Sequence, residues 1–358
     1  SVISTVNIGY FDYWSKYNTL QSYITNQDSD AFKWIIQREI SIRFTLKPTD
    51  GVGNNIYTFG TAWIYGKDST SSNNYTYYLA TNIHVASNLN ELNWTTDRYI
   101  QSTQGNGLVK KYTLIGVSFN FISDSGLSSL RKNDDGSMKY LWEANGTDSY
   151  INLWTSSSNK ANETMPSIVY TATKNLLFGN STMVDHYTNK DIENPAIDFA
   201  LIKVDFSNVL NQNNSQNESV QTFLSSYDSN PTKFISSANI DYSKPFYLGG
   251  FPEAETYWKP NTSVAWIGLS NIRLTPDNIF HNVDYQVNNE FCDFSDPTSI
   301  APIKSSLEYV KKEGDQTYLW YRNVAEQLVI GDGSIGGGAS GSMLVQETSS
   351  GNYQVVGI

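Results

Sequence analysis

The chain has 358 residues, and its 24 lysine and arginine residues against 35 aspartate and glutamate residues give a formal net charge of -11. Such an acidic chain is not attracted to the phosphate backbone of a nucleic acid, and an aromatic content of 14% supplies apolar surface for a folded core, so nucleic-acid binding and overall disorder are disfavoured. The single cysteine excludes an internal disulfide, and His84, His186 and His281 do not stand at the spacing of metal ligands, so no metal or other cofactor is predicted.

Residues 1–37 place aromatic and apolar side chains at mixed spacing, which predicts a partly helical N-terminal extension. From Ile40 to Leu46, apolar residues alternate with polar ones, the pattern of a strand that buries one face. Runs of this kind, separated by turn residues, continue along the chain and predict a mainly β fold, either a barrel or a sandwich. The further runs lie at 56–65, 75–83, 112–122, 167–178, 197–206, 234–249, 262–273, 326–330, 343–346 and 353–358.

Two polar segments interrupt this β pattern. Residues 207–233 are rich in asparagine, glutamine and serine, which predicts a connection between two domains. Residues 124–165 have a similar composition and predict an insertion in the first domain. We therefore expect a first domain at 38–206 and a second at 234–358. No run reaches the roughly 20 apolar residues of a membrane-spanning helix, and no signal sequence opens the chain, so we expect a piece whose signal or anchor has been removed.

Three short stretches carry residues that suit one kind of chemistry. His84 stands at the end of an aromatic strand, Asp198 near the start of an apolar strand, and Ser340 in a glycine-dense loop just before a strand. A serine hydroxyl is a weak nucleophile that needs a base, imidazole is such a base, and a carboxylate fixes the imidazole tautomer. The glycines would let the N–H groups of Gly338 and Ser340 turn toward a developing oxyanion.

Each stretch alone has a plainer interpretation, since a single histidine is often packed, a buried aspartate often has a structural partner, and a glycine-rich loop is often only a turn. Taken together, the order histidine, aspartate, serine is that of chymotrypsin. The α/β-hydrolase order needs a histidine after Ser340, and none follows. The subtilisin order needs a suitable aspartate before His84, where the aspartates lie in polar or turn-like surroundings. Residues 331–336 match the glycine pattern of dinucleotide-binding loops, but the pattern predicts no helix after them, so dinucleotide binding is disfavoured.

These stretches resemble the histidine, aspartate and serine motifs of the trypsin-like serine peptidases. More specifically, the sequences at 60–63, 81–86, 198–200 and 338–342 resemble a mycoplasma serine peptidase family that includes the mycoplasma immunoglobulin proteases. The resemblance extends over about residues 38–358. It implies a trypsin-like double β-barrel with long insertions, in which the first barrel carries His84 and Asp198 and the second carries Ser340.

The resemblance also implies a function. It predicts a secreted or surface-attached endopeptidase that cuts the heavy chain of host immunoglobulin and works with a companion immunoglobulin-binding protein. The alternative is a non-catalytic surface protein that binds immunoglobulin or another host protein through its many tyrosines and tryptophans and keeps only a relic of the protease fold. Carbohydrate binding through exposed aromatic side chains is a third, weaker hypothesis.

Two residues near Ser340 can be compared with their counterparts in the trypsin-like peptidases. Ala339 replaces the aspartate of the familiar serine loop, so activation by a freed N-terminus that pairs with this aspartate cannot operate here. Ser334 stands where the floor of the primary specificity pocket is expected, which predicts no strong charge preference in the substrate. The chain ends within the strand expected after the nucleophile, so we expect the second barrel to be incomplete at its C-terminus.

Overall fold

Strands dominate the part of the chain that the structure describes, which confirms the predicted mainly β class. The sheets are largely antiparallel and the helices are few. The computed structural model describes residues 5–9, 26–89, 97–101, 109–127, 130–131, 141–143, 150–157, 165–173, 195–211, 217–241, 244, 246–251, 257–260, 279–280, 306–311, 317–323, 327–331 and 339–358.

The largest sheet has ten strands. They are β2 (Glu39–Pro48), β3 (Ile56–Lys67), β4 (Thr76–Thr81), β5 (Asp97–Gln101), β6 (Val109–Asn120), β9 (Ile151–Thr155), β10 (Ser167–Thr173), β11 (Pro195–Asp205), β15 (Ser306–Lys311) and β16 (Thr317–Asn323). The strand order is β15-β16-β11-β4-β3-β2-β6-β5, with β10 beside β11 and β9 beside β6. The structure confirms the alternation predicted for β2, because Ile40, Ile42 and Phe44 are fully buried on one face of the strand.

The other described strands form two smaller sheets. Their strands are β1 (Thr5–Gly9), β7 (Leu130–Arg131), β8 (Leu141–Glu143), β12 (Phe246–Gly250), β13 (Tyr257–Pro260), β14 (Ile279–Phe280), β17 (Gln327–Gly331), β18 (Leu344–Ser349) and β19 (Asn352–Gly357). The six-stranded sheet has the order β19-β18-β12-β13-β8-β7 and the three-stranded sheet the order β1-β17-β14, with β1 parallel to β17. Among the described strands no sheet closes into a barrel, so the predicted trypsin-like double β-barrel is not confirmed.

The helices are short. They are α1 (Asn26–Ile36), α2 (Ile83–Ala86), α3 (Asp124–Leu127), α4 (Ser207–Asn211) and α5 (Asn217–Ser229). The last two lie in the segment 207–233, and α5 buries Val220, Phe223, Leu224 and Tyr227 at the spacing of one helix face. That this segment connects two domains stays a prediction. Within the described ranges, no helix has the length and apolarity to cross a bilayer.

Two apolar cores lie on opposite faces of β3 and β4. In β3, Ala62 and Ile64 belong to the first core, which the ten-stranded sheet and α5 enclose, whereas Trp63 belongs to the second core. The second core contains apolar residues of α1, β12, β18 and β19. Because successive side chains of a strand point to opposite faces, β3 and β4 separate the two cores and contribute to both. The segment that carries Ser340 therefore packs against the strands that lead to His84.

Candidate active site

Asp198 is tied to the corner at which β4 passes into α2. The backbone N–H of Ile83 donates a hydrogen bond to Asp198 Oδ1 at 2.6 Å. The side chain of Asn82 donates from Nδ2 to the backbone oxygen of Asp198 at 2.7 Å. The first N–H groups of a helix have no partner within the helix, so the carboxylate satisfies a donor that would otherwise be unpaired. These two hydrogen bonds fix Asp198 beside the residue that precedes His84.

Strand pairing brings the histidine and aspartate segments together as well. β4 and β11 are antiparallel, with Thr81 opposite Ala200. If this register is continued by two residues, Ile83 lies opposite Asp198, and these are the two residues that the hydrogen bond joins. His84 is the second residue of α2, and the structure describes its backbone. The structure thus places Asp198 and the backbone of His84 side by side.

Ser340 lies in a tight turn from Ala339 to Ser342. The Ser342 N–H donates to Ala339 O at 3.1 Å, and Ser342 Oγ donates to the same oxygen at 2.5 Å. Gly341 has a φ of 96°, which the third position of a type II turn requires and which favours glycine. Ser340 is the second residue of this turn, and it is partly exposed. The turn therefore presents the serine at an outward corner of the loop.

Thr61 in β3 holds this turn against the large sheet. Its N–H donates to Ser340 O at 2.9 Å, its carbonyl accepts from Thr81 Oγ1 at 2.8 Å, and its hydroxyl accepts from the Phe251 N–H at 3.1 Å. A Cβ atom on Gly341 would lie 2.0 Å from Thr61 O and 2.4 Å from Thr81 Oγ1. The serine loop thus touches β4 at Thr81, three positions before His84.

Glu39 provides a second attachment of the serine segment. It is the first residue of β2, it is fully buried, and its Oε1 accepts a hydrogen bond from the Met343 N–H at 2.8 Å. The sequence interpretation assigned no role to Glu39 or Thr61, and Asn82 was read only as part of a motif. A carboxylate at the start of a predicted strand is the signal that could have pointed to Glu39, as it did to Asp198.

The neighbouring Arg38 is a buried cation. Its Nη1 donates to Trp34 O at 2.7 Å, its Nη2 donates to Asn230 O, and its guanidinium lies 3.7 Å from the centre of the Trp34 ring. Burial lowers the pKa of Arg38 to about 9, and an electrostatic interaction with Tyr227 opposes this shift. The start of β2 is thus a dry environment in which hydrogen bonds to charged groups are strong.

Two predicted site residues fall outside the described ranges. They are Gly338, expected to share the oxyanion site, and Ser334, expected at the pocket floor. Within the described ranges, no group of three His, Cys, Asp or Glu residues that could hold a metal ion is found.

Comparisons with known proteins identify a family for this chain. A family model described as mycoplasma immunoglobulin protease matches residues 29–358, which include every residue of the site described above. A chain from the structure of the mycoplasma MIB and MIP proteins is 14% identical and covers 85% of this chain, with a TM-score of 0.41. The present chain spans 50% of the length of that chain. No curated protein matches the sequence.

Proposed function

Because the chain belongs to the mycoplasma immunoglobulin protease family, we propose that it is a trypsin-like serine endopeptidase whose catalytic triad is Ser340, His84 and Asp198. One observation carries this proposal. The three segments converge on the end of β4, since Asp198 accepts the Ile83 N–H at 2.6 Å and Gly341 packs against Thr81. Residues that are separated by more than a hundred positions in the sequence are thereby brought to one place.

The proposed mechanism follows from the chemistry of these groups. Ser340 Oγ attacks the carbonyl carbon of the scissile peptide while His84 removes the hydroxyl proton. The negative charge that develops on the carbonyl oxygen is stabilised by the N–H groups of Gly338 and Ser340. When the C–N bond breaks, His84 returns the proton to the leaving amine, and an acyl ester remains on Ser340. Water then attacks this ester with His84 again as base, which releases the new carboxylate and the free serine.

Asp198 has an orienting role in this mechanism. Its carboxylate holds the imidazole in one tautomer and stabilises the imidazolium formed during attack. The hydrogen bond from the Ile83 N–H to Oδ1 restrains rotation of the carboxylate, and the hydrogen bond from Asn82 to the backbone oxygen fixes the main chain of Asp198, so both belong to the proposed machinery.

The proposal extends to the fold and the substrate. We propose a trypsin-like two-barrel architecture, which the two cores on either side of β3 and β4 support. The description of the family supports immunoglobulin as the substrate. The resemblance found in the sequence adds the heavy chain of host immunoglobulin as the proposed site of cleavage. We also propose a companion immunoglobulin-binding protein, as the resemblance implies, and an extracellular or surface-attached location, because immunoglobulin is an extracellular protein.

Replacement of the nucleophile tests the proposal. A diphenyl phosphonate forms a P–O bond with an activated serine hydroxyl and releases phenol, so it should label Ser340 in the native protein. Ser340→Ala should not be labelled and should cleave immunoglobulin about 10⁶-fold more slowly, with an unchanged thermal midpoint. The exposed Ser236 gives a matched control, because Ser236→Ala should behave like the native protein.

Two other outcomes would reject the proposal. Cleavage by Ser340→Ala at the native rate would move the nucleophile elsewhere. A native protein that binds immunoglobulin but is neither labelled nor active would favour the non-catalytic binding protein.

A further inference from the structure

The serine loop lacks the carboxylate that its resemblance to trypsin-like peptidases leads one to expect. Ala339, the residue before the nucleophile, is apolar and almost fully buried. A loop that must aim both a hydroxyl and an N–H group at the substrate needs a fixed backbone, because a displacement of about 1 Å can cost roughly 100-fold in rate. Some other group must therefore fix the conformation of residues 339–343.

Glu39 meets this requirement on three counts. Its side chain is fully buried, so the carboxylate is held by packing and is not mobile in solvent. Its Oε1 accepts the Met343 N–H at 2.8 Å, and Met343 is also fully buried. A hydrogen bond between a carboxylate and a buried N–H group is among the stronger ones in proteins, and a buried carboxylate is costly unless it is bound in this way.

The position of Glu39 in the sheet adds to the argument. Glu39 lies opposite Trp63 in the pairing of β2 with β3, two residues beyond the Thr61 that holds Ser340 O. The serine segment is thus fastened at two points, by Thr61 at Ser340 and by Glu39 at Met343. Thr61 and Glu39 both belong to the ten-stranded sheet, which contains Asp198 and leads to His84.

We propose that Glu39 is a positioning residue that fixes the serine loop in its reactive conformation by accepting the Met343 N–H. This inference rests on the proposed serine peptidase function. It implies that the large sheet itself orients the nucleophile, in the role that a paired aspartate before the serine would otherwise fill.

Three substitutions at Glu39 separate the hydrogen bond from charge and volume. Glu39→Met keeps the volume and removes the acceptor. Glu39→Gln keeps an acceptor oxygen at the same reach and removes the charge. Glu39→Asp keeps the charge but withdraws the carboxylate by one carbon–carbon bond, about 1.5 Å. The rate constant of phosphonate labelling at saturation, kinact, reports loop geometry, whereas the inhibitor concentration at half saturation, KI, reports binding.

We expect Glu39→Met to lower kinact about 100-fold with KI unchanged, and Glu39→Asp to lower kinact about tenfold or more. Glu39→Gln should stay within about tenfold of the native kinact, because a neutral oxygen still accepts the hydrogen bond. Gln346→Met is the matched control, because Gln346 is 1% exposed and its side chain binds the backbone N–H and C=O of Asp241 at 2.9 and 2.6 Å. This control should lose stability and keep the native kinact.

Each result decides between the two proposals. A native protein that is not labelled at all would overturn the peptidase proposal and this inference with it. Native labelling accompanied by unchanged kinact in folded Glu39→Met would overturn only the inference about Glu39. If Glu39→Met does not fold, the variants Glu39→Asp and Glu39→Gln decide. A kinact of Glu39→Asp equal to the native value, or a 100-fold loss of kinact in Glu39→Gln, would show that the hydrogen bond does not position the serine loop.

Discussion

Gly341 determines how closely the serine loop approaches the large sheet. Its φ of 96° is reached without strain only by glycine, and a side chain there would meet the Thr61 carbonyl at 2.0 Å. The obstruction is backbone, which cannot rotate away as a flexible side chain can. Two features therefore require a glycine after Ser340, namely the positive φ of the turn and the close contact with Thr61.

Gly341→Ala should therefore lose both stability and reactivity. The positive φ and the clash together should lower the free energy of unfolding by at least about 2 kcal/mol, and phosphonate labelling of the folded protein should fall by about 100-fold or more. Gly351→Ala is a matched control, because Gly351 has a φ of 75° but no atom within 4 Å of its Cβ position. It should lose about 1 kcal/mol and keep native labelling. Equal labelling in the two variants would contradict the proposed contact.

At the scale of elements, α5 braces the two strands that hold the serine loop. Its Asp228 accepts a hydrogen bond from the Tyr77 hydroxyl of β4 at 2.9 Å. The same carboxylate forms an ion pair with Lys67 of β3 at 3.0 Å. Its Phe223 packs against Phe121, with ring centres 5.0 Å apart. Buried apolar contact supplies most of this attachment, because the ion pair is partly exposed and weak.

Phe223→Ala should destabilise the protein through this packing. Removal of a buried aromatic ring leaves a cavity, so the free energy of unfolding should fall by about 3 to 5 kcal/mol. Gln221→Ala, on the exposed side of the same helix, should change it by no more than about 0.5 kcal/mol. Urea titrations followed by tryptophan fluorescence measure both values. A loss below 1 kcal/mol for Phe223→Ala would mean that α5 does not brace the sheet.

Local patterns explain which elements were predictable. The alternation in β2 and the apolar run of β11 indicated strands, because burial of one or both faces leaves a pattern in adjacent residues. The helix α5 was missed because its polar composition hid the apolar spacing of Val220, Phe223, Leu224 and Tyr227. The hydrogen bond between Glu39 and Met343 joins residues 304 positions apart and uses a backbone N–H that every residue type except proline offers. No local pattern records such a contact.

At the scale of the whole molecule, the two cores share β3 and β4, so stability and site geometry are linked. Loss of either core would release one face of the strands that hold Thr61 and Thr81. Among the described residues, four tyrosines have a pKa that is raised mainly by burial, namely Tyr77 and Tyr227 in the first core, together with Tyr150 and Tyr170. For Tyr77, the hydrogen bond to Asp228 adds to the effect of burial. Because of these tyrosines, the free energy of unfolding depends on pH in the alkaline range.

The sign of this linkage follows from the direction of the shifts. An unfolded tyrosine loses its proton near pH 10, whereas the folded protein keeps these protons to higher pH, so the unfolded state binds fewer protons above pH 10. The stabilisation is therefore complete below about pH 10 and is lost as the pH rises further. Arg38 acts in the opposite direction, because its pKa of about 9 in the folded protein lets it release a proton that the unfolded chain still holds. With four tyrosines against one arginine, we expect a net loss of stability above pH 10.

Tyr77→Phe isolates one part of this linkage. At pH 8 the variant should be less stable than the native protein, because it lacks the hydrogen bond to Asp228, which contributes about 1.5 to 3 kcal/mol when the partner is charged. Above pH 10 the difference should shrink by up to about 1.4 kcal/mol per pH unit, since only the native protein loses the contribution of the Tyr77 proton. Urea midpoints between pH 8 and pH 11 measure this, with Tyr57→Phe, at a side chain 51% exposed, as the control that should run parallel to the native protein. A constant difference between Tyr77→Phe and the native protein across this range would refute the raised pKa of Tyr77.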